Sequence, residues 1–220
     1  MSHTTTSDLF AEVLSDSLNT PISEGAYYLK NFAFADSTEL LREITNIAEQ
    51  SPFRVMLTPR GKAMSVAMTN CGSFGWVSDQ AGYRYSSIDP LNTKPWPEMP
   101  DLFMHLATEA AKAVGFEQFR PDACLINRYQ ISSKMGLHQD KDEQDMQAPI
   151  VSVSLGISAR FAFGGESRDD QTQKIWLNHG DVVVWGGCAR KNYHGILTLK
   201  SDYHPTTQNF RFNLTFRKAM

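Results

Sequence analysis

The sequence predicts a mainly β domain with helices in its N-terminal half, an α+β chain that closes on a sandwich or barrel. Three observations point there. Beyond Asp122, short runs of strand-forming residues are separated by turns, and ahead of them two stretches repeat apolar residues at helical spacing. The chain has 220 residues, 41% of them hydrophobic, which fills one substantial core more readily than two.

In chain order, residues 1 to about 21 are rich in Ser, Thr and Asp and close with Asn19-Thr20-Pro21, so they read as a flexible tail. Within it Leu9, Phe10, Val13 and Leu14 can form a short docked turn. A single domain is expected over 22–220. From Asp36 to Gln50, residues Leu40, Leu41, Ile44, Ile47 and Ala48 recur at helical spacing, with Asp36 placed to cap, Glu39 to complete a capping box and Ser51-Pro52 to end the helix. A second helix is predicted from about Asp101 to Val114 on the stripe Leu102, Phe103, Leu106, Ala107, Ala110 and Val114, stopped by Gly115. Both read as covering elements. Between them, after a strand-like Met64 to Met68, lies a long loop rich in Gly, Pro and aromatics, including Trp76, Tyr83, Tyr85 and Trp96; a loop of that length is more often functional than idle.

The later strands are predicted at Ala123 to Tyr129, Ile150 to Ile157, Arg160 to Phe163, Lys174 to Leu177, Val182 to Trp185 and Phe210 to Arg217, with a turn at Asn178-His179-Gly180-Asp181. On the last strand, alternation puts Arg211, Asn213, Thr215 and Arg217 on one face and three phenylalanines with Leu214 on the other. On the first, Leu125, Asn127 and Tyr129 share a face, so an amide and a phenol can meet those arginines across a barrel interior. Arginines aimed inward need anionic partners, because a buried unpaired charge is costly. A bound dicarboxylate would supply them; an ordinary half-exposed strand with a wet face is the alternative.

Charge and cysteine content narrow the setting. A net charge of −3 and a sequence pI of about 6.1 give no whole-protein field for tight, non-specific nucleic-acid binding, so any basic surface is local. Three widely spaced cysteines, Cys71, Cys124 and Cys188, fit neither a disulfide framework nor a Cys-x-x-Cys zinc site, which implies a reduced, cytoplasmic location. The sequence has no basic stretch followed by an apolar leader and no long apolar run, so neither a signal peptide nor a membrane span is expected.

The chemistry centres on Leu137-His138-Gln139-Asp140-Lys141-Asp142-Glu143. On an extended strand His138 and Asp140 point the same way and can hold one metal ion. Two imidazoles and one carboxylate on one face of an ion is the set used by non-haem iron(II) oxygenases, so a distant histidine is needed. Among six histidines, His3 lies in the polar tail, His105 in a helix, His179 in a turn and His204 before Pro205, which leaves His194. A zinc hydrolase can use the same three residues.

Together, His138-x-Asp140, the distant His194, Asn127-x-Tyr129 and the terminal Arg211-x-Asn213 with Arg217 resemble the AlkB family of iron(II)- and 2-oxoglutarate-dependent dioxygenases, which repair alkylated nucleic acid. The resemblance runs from about Gly25 to Arg217. It implies a double-stranded β-helix (jelly roll) over about 122–220, N-terminal helices and a nucleotide-recognition lid over about 62–100. It implies one Fe(II) on His138, Asp140 and His194, with 2-oxoglutarate and O2 as co-substrates. Asn127, Tyr129, Arg211, Asn213 and Arg217 would bind 2-oxoglutarate, Arg211 at its far carboxylate and Arg217, also catalytic, at the metal end.

The same likeness implies oxidative demethylation of 1-methyladenine and 3-methylcytosine, with release of formaldehyde, succinate and CO2. The partner would be alkylated DNA, single-stranded for preference, or RNA; a monomer is expected. Trp76 would stack on the cationic base with His138 as the opposite wall. Asp142 and Glu143 would meet the base edge, and Met68, Tyr83, Leu125 and Arg168 would line the pocket or its lid. Local cations, namely Arg54, Lys62, Arg84, Lys134, Lys141 and Arg168, would touch the strand. Two rivals remain open: a hydroxylase of a protein or small molecule with the same site, and a non-catalytic β-barrel binding module.

Overall fold

The structure, a computed structural model, describes residues 19–220. In chain order it contains β1 (Asn19–Ser23), β2 (Ala26–Leu29), α1 (Ser37–Gln50), β3 (Arg54–Leu57), β4 (Ala63–Gly72), β5 (Gly75–Asp79), β6 (Gly82–Ser86) and α2 (Asp101–Lys112). Then follow β7 (Ala123–Tyr129), β8 (Met135–His138), β9 (Ile150–Gly156), β10 (Ala159–Phe163), β11 (Gln173–Leu177), β12 (Val182–Trp185), β13 (His194–Ile196) and β14 (Arg211–Arg217). The large sheet runs β1-β2-β12-β9-β14-β7-β4-β3 and the small one β11-β10-β13-β8. Of the strands from β7 on, four lie in each sheet and the chain passes back and forth between them, which is the double-stranded β-helix.

Strict alternation sorts the large sheet into two faces. Outward, Ile126, Val151, Val153, Leu155, Val182, Val184, Leu214 and Phe216 pack under Leu40, Ile44 and Ile47 of α1 and Phe103, Leu106 and Ala110 of α2. The residues between them point inward. Leu125, Tyr129, Val183 and Trp185 join Phe161, Phe163 and Ile196 of the small sheet in a second core. The inward polar residues pair in register: Asn213 lies between Asn127 and Ser154, and Arg211 between Tyr129 and Gly156. Gly156 has φ +87° and sits so close to Thr207 and the Phe210 carbonyl that no side chain fits there. Both faces of β14 are thus covered, and the wet-face alternative fails.

Several expectations need correction. Asn19, Thr20 and Pro21, expected in a flexible tail over 1–21, instead pair with β2, while residues 1–18, with the docked turn at Leu9 to Leu14, lie outside the described residues. Helix α1 has no capping box, because Asp36 adopts an αR backbone instead of the extended one a capping side chain needs, and Glu39 turns to Arg42. Helix α2 ends at Lys112, two residues short of Val114, and the chain turns at Gly115 with φ +90°. The region 62–100 is not one lid segment, since β4 is a strand of the large sheet, paired with β7.

The stretch read as a long loop contains the β5–β6 hairpin, closed at Gly82. Its packing explains the aromatics: the Trp96 ring lies against Gly75, where a Cβ would collide with it, and the Trp96 indole N–H donates to the Ser86 carbonyl at 2.8 Å. The tether between this region and α1 is Asp89, which is fully buried. Its carboxylate accepts from Ser51 Oγ at 2.6 Å, from Leu91 N at 2.8 Å and from Arg54. Arg54 is therefore spent inside the protein and is no free cation for a nucleic-acid strand, whereas Arg84 pairs with Asp79 at the surface.

Asp89→Ala leaves the part-buried Arg54 guanidinium without its anion and is expected to cost about 3 kcal/mol of stability, with Asp89→Asn costing less. Urea denaturation of the two variants beside the wild type checks the order.

Candidate active site

The two ligand histidines are a register pair. His138 closes β8 and His194 opens β13 opposite it. Asp140 lies beyond the end of β8, so the expectation of one extended strand through His138 and Asp140 is corrected, yet the irregular chain that follows keeps the carboxylate on the same side as both imidazoles. His138 Nε2 is 3.7 Å from Asp140 Oδ1, His194 Nε2 is 3.7 Å from Asp140 Oδ2, and the ligand atoms of the three residues all lie within 4.8 Å of one another.

Each imidazole is oriented by the same local device. His138 Nδ1 donates to the Gly136 carbonyl at 2.9 Å and His194 Nδ1 to the Asn192 carbonyl at 3.0 Å, in both cases the carbonyl two residues back. With the proton held on Nδ1, each Nε2 presents a lone pair to the shared space. The donor set of two imidazole nitrogens and a carboxylate fits iron(II).

Electrostatics prepare the same state. Burial and the neighbouring His138 push His194 down from 6.5 to about 4, so its ring is neutral. Burial alone would raise Asp140, but the Arg217 guanidinium overrides it and holds the carboxyl well below the usual range. Arg217 reaches Asp140 Oδ2 through Nη2 at 2.9 Å and Nε at 3.1 Å.

Six residues away on β14, Arg211 has a different problem. It is 1% exposed, donates Nη2 to Ser154 Oγ at 3.0 Å and lies over the Tyr129 ring at 5.0 Å, while Nε and Nη1 have no partner among the described residues. A buried guanidinium with two idle donors calls for an oxyanion. Asn127 Nδ2 donates to Asn213 Oδ1 at 3.2 Å, and Asn213 Nδ2 to Ser152 Oγ at 2.9 Å, which fixes the polar floor between the two arginines.

All of this opens into one cleft of about 380 Å³. Met68, Trp76, Tyr83, Leu125, Asn127, Tyr129, His138, Asp140, Asp142, Arg168, His194, Arg211, Asn213 and Arg217 line it, as does Lys141. Tyr83 stacks on the Trp76 indole, 5.5 Å between centroids, and the Trp76 N–H donates to Asp142 Oδ2 at 2.8 Å. Arg168 sits over the Tyr193 ring. Glu143 is the exception: it lies behind the cleft wall, where it accepts from Tyr85 OH at 2.6 Å and Arg190 Nη2 at 3.0 Å and pairs with Arg217. Its neighbours are all cations or hydroxyls, so it serves an internal network and does not edge the cleft.

Sequence reasoning missed Tyr85, Arg190 and Tyr193 at this site. Tyr85 shares a strand face with Tyr83 and was legible as such; Arg190, in the polar turn Cys188-Ala189-Arg190-Lys191, looks like a surface residue until the fold buries it.

A profile of the 2OG-Fe(II) oxygenase superfamily matches residues 25–217. The alpha-ketoglutarate-dependent dioxygenase AlkB of Escherichia coli (strain K12) is 55% identical over 212 residues, 96% of this chain and 97% of that one. The chain belongs to the AlkB family. Within the wider group of AlkB relatives, the DNA N(6)-methyladenine demethylase ALKBH1C of Arabidopsis thaliana is 32% identical over 161 residues, 61% of this chain and 35% of that one. The solved structure of OsALKBH1 superposes with a TM-score of 0.79 at 28% identity, covering 91% of this chain and 99% of that one. As an AlkB-family member the chain is an iron(II)- and 2-oxoglutarate-dependent dioxygenase, and no helix among its described residues is long and apolar enough to cross a membrane.

The depressed His194 gives a signed pH dependence for the metal-free protein. The unfolded chain takes up the proton near 6.5 and the folded one only near 4, so stability is full above that window and falls as pH drops through it. Urea unfolding between pH 7 and 4 is expected to show the loss, and His194→Asn is expected to flatten it.

Proposed function

We propose that this AlkB-family dioxygenase reverses N-alkylation of nucleic-acid bases, with 1-methyladenine and 3-methylcytosine in single-stranded DNA as its main substrates and RNA as a further one. The observation that carries the reading is a juxtaposition in one cleft: three metal-binding atoms with one side open, the two unpaired donors of Arg211, and an indole face. In this reading His138, Asp140 and His194 hold iron(II). Together with 2-oxoglutarate and O2 the iron supplies the oxidation that hydroxylates the N-methyl carbon, leaving succinate and CO2; the N-hydroxymethyl product then releases formaldehyde and the restored base.

The chain's own residues bind, orient and exclude water. Arg211 grips the far carboxylate of 2-oxoglutarate through its idle Nε and Nη1, over the Tyr129 ring, while Asn127 and Asn213 order the floor. Arg217 stands at the metal end, six positions along β14. Trp76, braced by Tyr83, offers its indole face to a cationic base, with His138 across the cleft. The second oxygen of Asp142 accepts from the exocyclic amine, and Met68 and Leu125 supply apolar walls. Arg168 and Lys141 at the cleft meet the phosphate backbone.

A base reaches such a cleft only outside the stack, which is easiest from a single strand or from a pair the methyl group has already broken. A monomer in the cytoplasm completes the reading, consistent with three free cysteines.

The deciding assay supplies iron(II), 2-oxoglutarate and oxygen with a 1-methyladenine oligonucleotide and reads succinate and repaired base by mass spectrometry. Equal yields that vanish in His138→Ala are expected; succinate without repair would discard the substrate and keep the oxygenase. Trp76→Ala is expected to weaken binding of the methylated, cationic oligonucleotide by about 2- to 30-fold, and of its neutral counterpart less, by fluorescence anisotropy.

A further inference from the structure

Asp140 is the one ligand of the three that no strand holds, since β8 ends at His138. Something else must fix it. Its backbone carbonyl accepts from Arg190 Nη1 at 2.7 Å. Arg190 also donates Nε to the Ala148 carbonyl at 3.0 Å and Nη2 to Glu143 Oε2 at 3.0 Å. One guanidinium, 3% exposed, thus pins the loop joining β8 to β9 at three points. It does so from the turn that leads, four residues on, into His194.

We propose that Arg190 is a positioning residue for the metal centre, setting the distance between the Asp140-bearing loop and the His194-bearing strand and holding Glu143 where it shares Arg217. This inference rests on reading His138, Asp140 and His194 as the metal site. Arg217 donates Nη2 and Nε to Asp140 Oδ2, and the same Nε lies 3.3 Å from Glu143 Oε1. Both Arg217 contacts to Asp140 fall on Oδ2, so Oδ1 stays available to a cation while Glu143 gives the buried guanidinium a second anion. Tyr85 OH steadies Glu143 from the hairpin side. The three donors of Arg190 leave along a planar fork, a geometry the single ammonium of a lysine does not reproduce.

The sign of the effect separates this role from plain electrostatics. Arg190 is itself a cation near the site, so by charge alone Arg190→Met strengthens binding of a divalent ion and Arg190→Lys leaves it unchanged. A positioning role gives the reverse. Loss of an outer contact that orients a ligand weakens metal affinity about 10- to 100-fold, and both variants are expected to show it.

The measurement is titration of metal-free protein with manganese(II) alone, followed by electron paramagnetic resonance of the free ion, beside thermal melting of each metal-free variant. Weakened manganese binding in a folded Arg190→Lys supports the proposal even where Arg190→Met does not fold. Unchanged or tighter binding in Arg190→Lys overturns it, as does a lysine variant that fails to fold, which assigns Arg190 to the fold alone. A wild-type protein that binds no manganese would instead refute the metal site itself.

Discussion

A carboxylate taken almost out of water has to be kept ionised, and the interior of this barrel is arranged around doing so for Asp140. Its partner Arg217 is itself buried and would be untenable alone, so it is shared with Glu143, which in turn is held by Arg190 and Tyr85. Two acids and two guanidiniums alternate through the protein, each neutralising the next. That chain of pairs joins β14, the loop after β8, the turn before β13 and the β5–β6 hairpin, which are otherwise distant in sequence. Arg211 stands outside it: among the described residues its Nε and Nη1 have no partner, whereas Arg217 is matched by two carboxylates.

The large sheet acts as a partition between stability and chemistry. Most of its outward residues are aliphatic or aromatic and sit under the helices, whereas the inward ones of β14 and its neighbours carry the amides, hydroxyls and guanidiniums of the cleft. Because a strand repeats every two residues, the two duties interleave along the same seven residues of β14 without compromise. Substitutions one residue apart on that strand therefore act on different properties of the protein.

That interleaving is also why so much was legible in advance. The alternation of Arg211, Asn213, Thr215 and Arg217 with phenylalanine is written in the chain, and so are the histidine–aspartate spacing and the helical stripes of α1 and α2. Local signals with a fixed period survive folding. What could not be read depends on meetings between remote segments. Glu143 looks like a solvated acid until Arg190, Arg217 and Tyr85 arrive from three other elements, and Arg190 looks like a surface cation until the turn that carries it is packed beneath the loop after β8. The aromatic stretch hid a hairpin because its glycines mark both loop and strand partner: Gly75 is small for the sake of Trp96, not of a turn. The capping box failed through backbone geometry at Asp36, which residue type does not specify.

The carbonyls of Gly136 and Asn192 have a consequence beyond orientation. Because each histidine's Nδ1–H is bound to its own chain two residues back, neither ring has to turn over for its Nε2 to meet an ion. Arg217 engages Oδ2 of Asp140, so Oδ1 can take a cation while that pair stays in place.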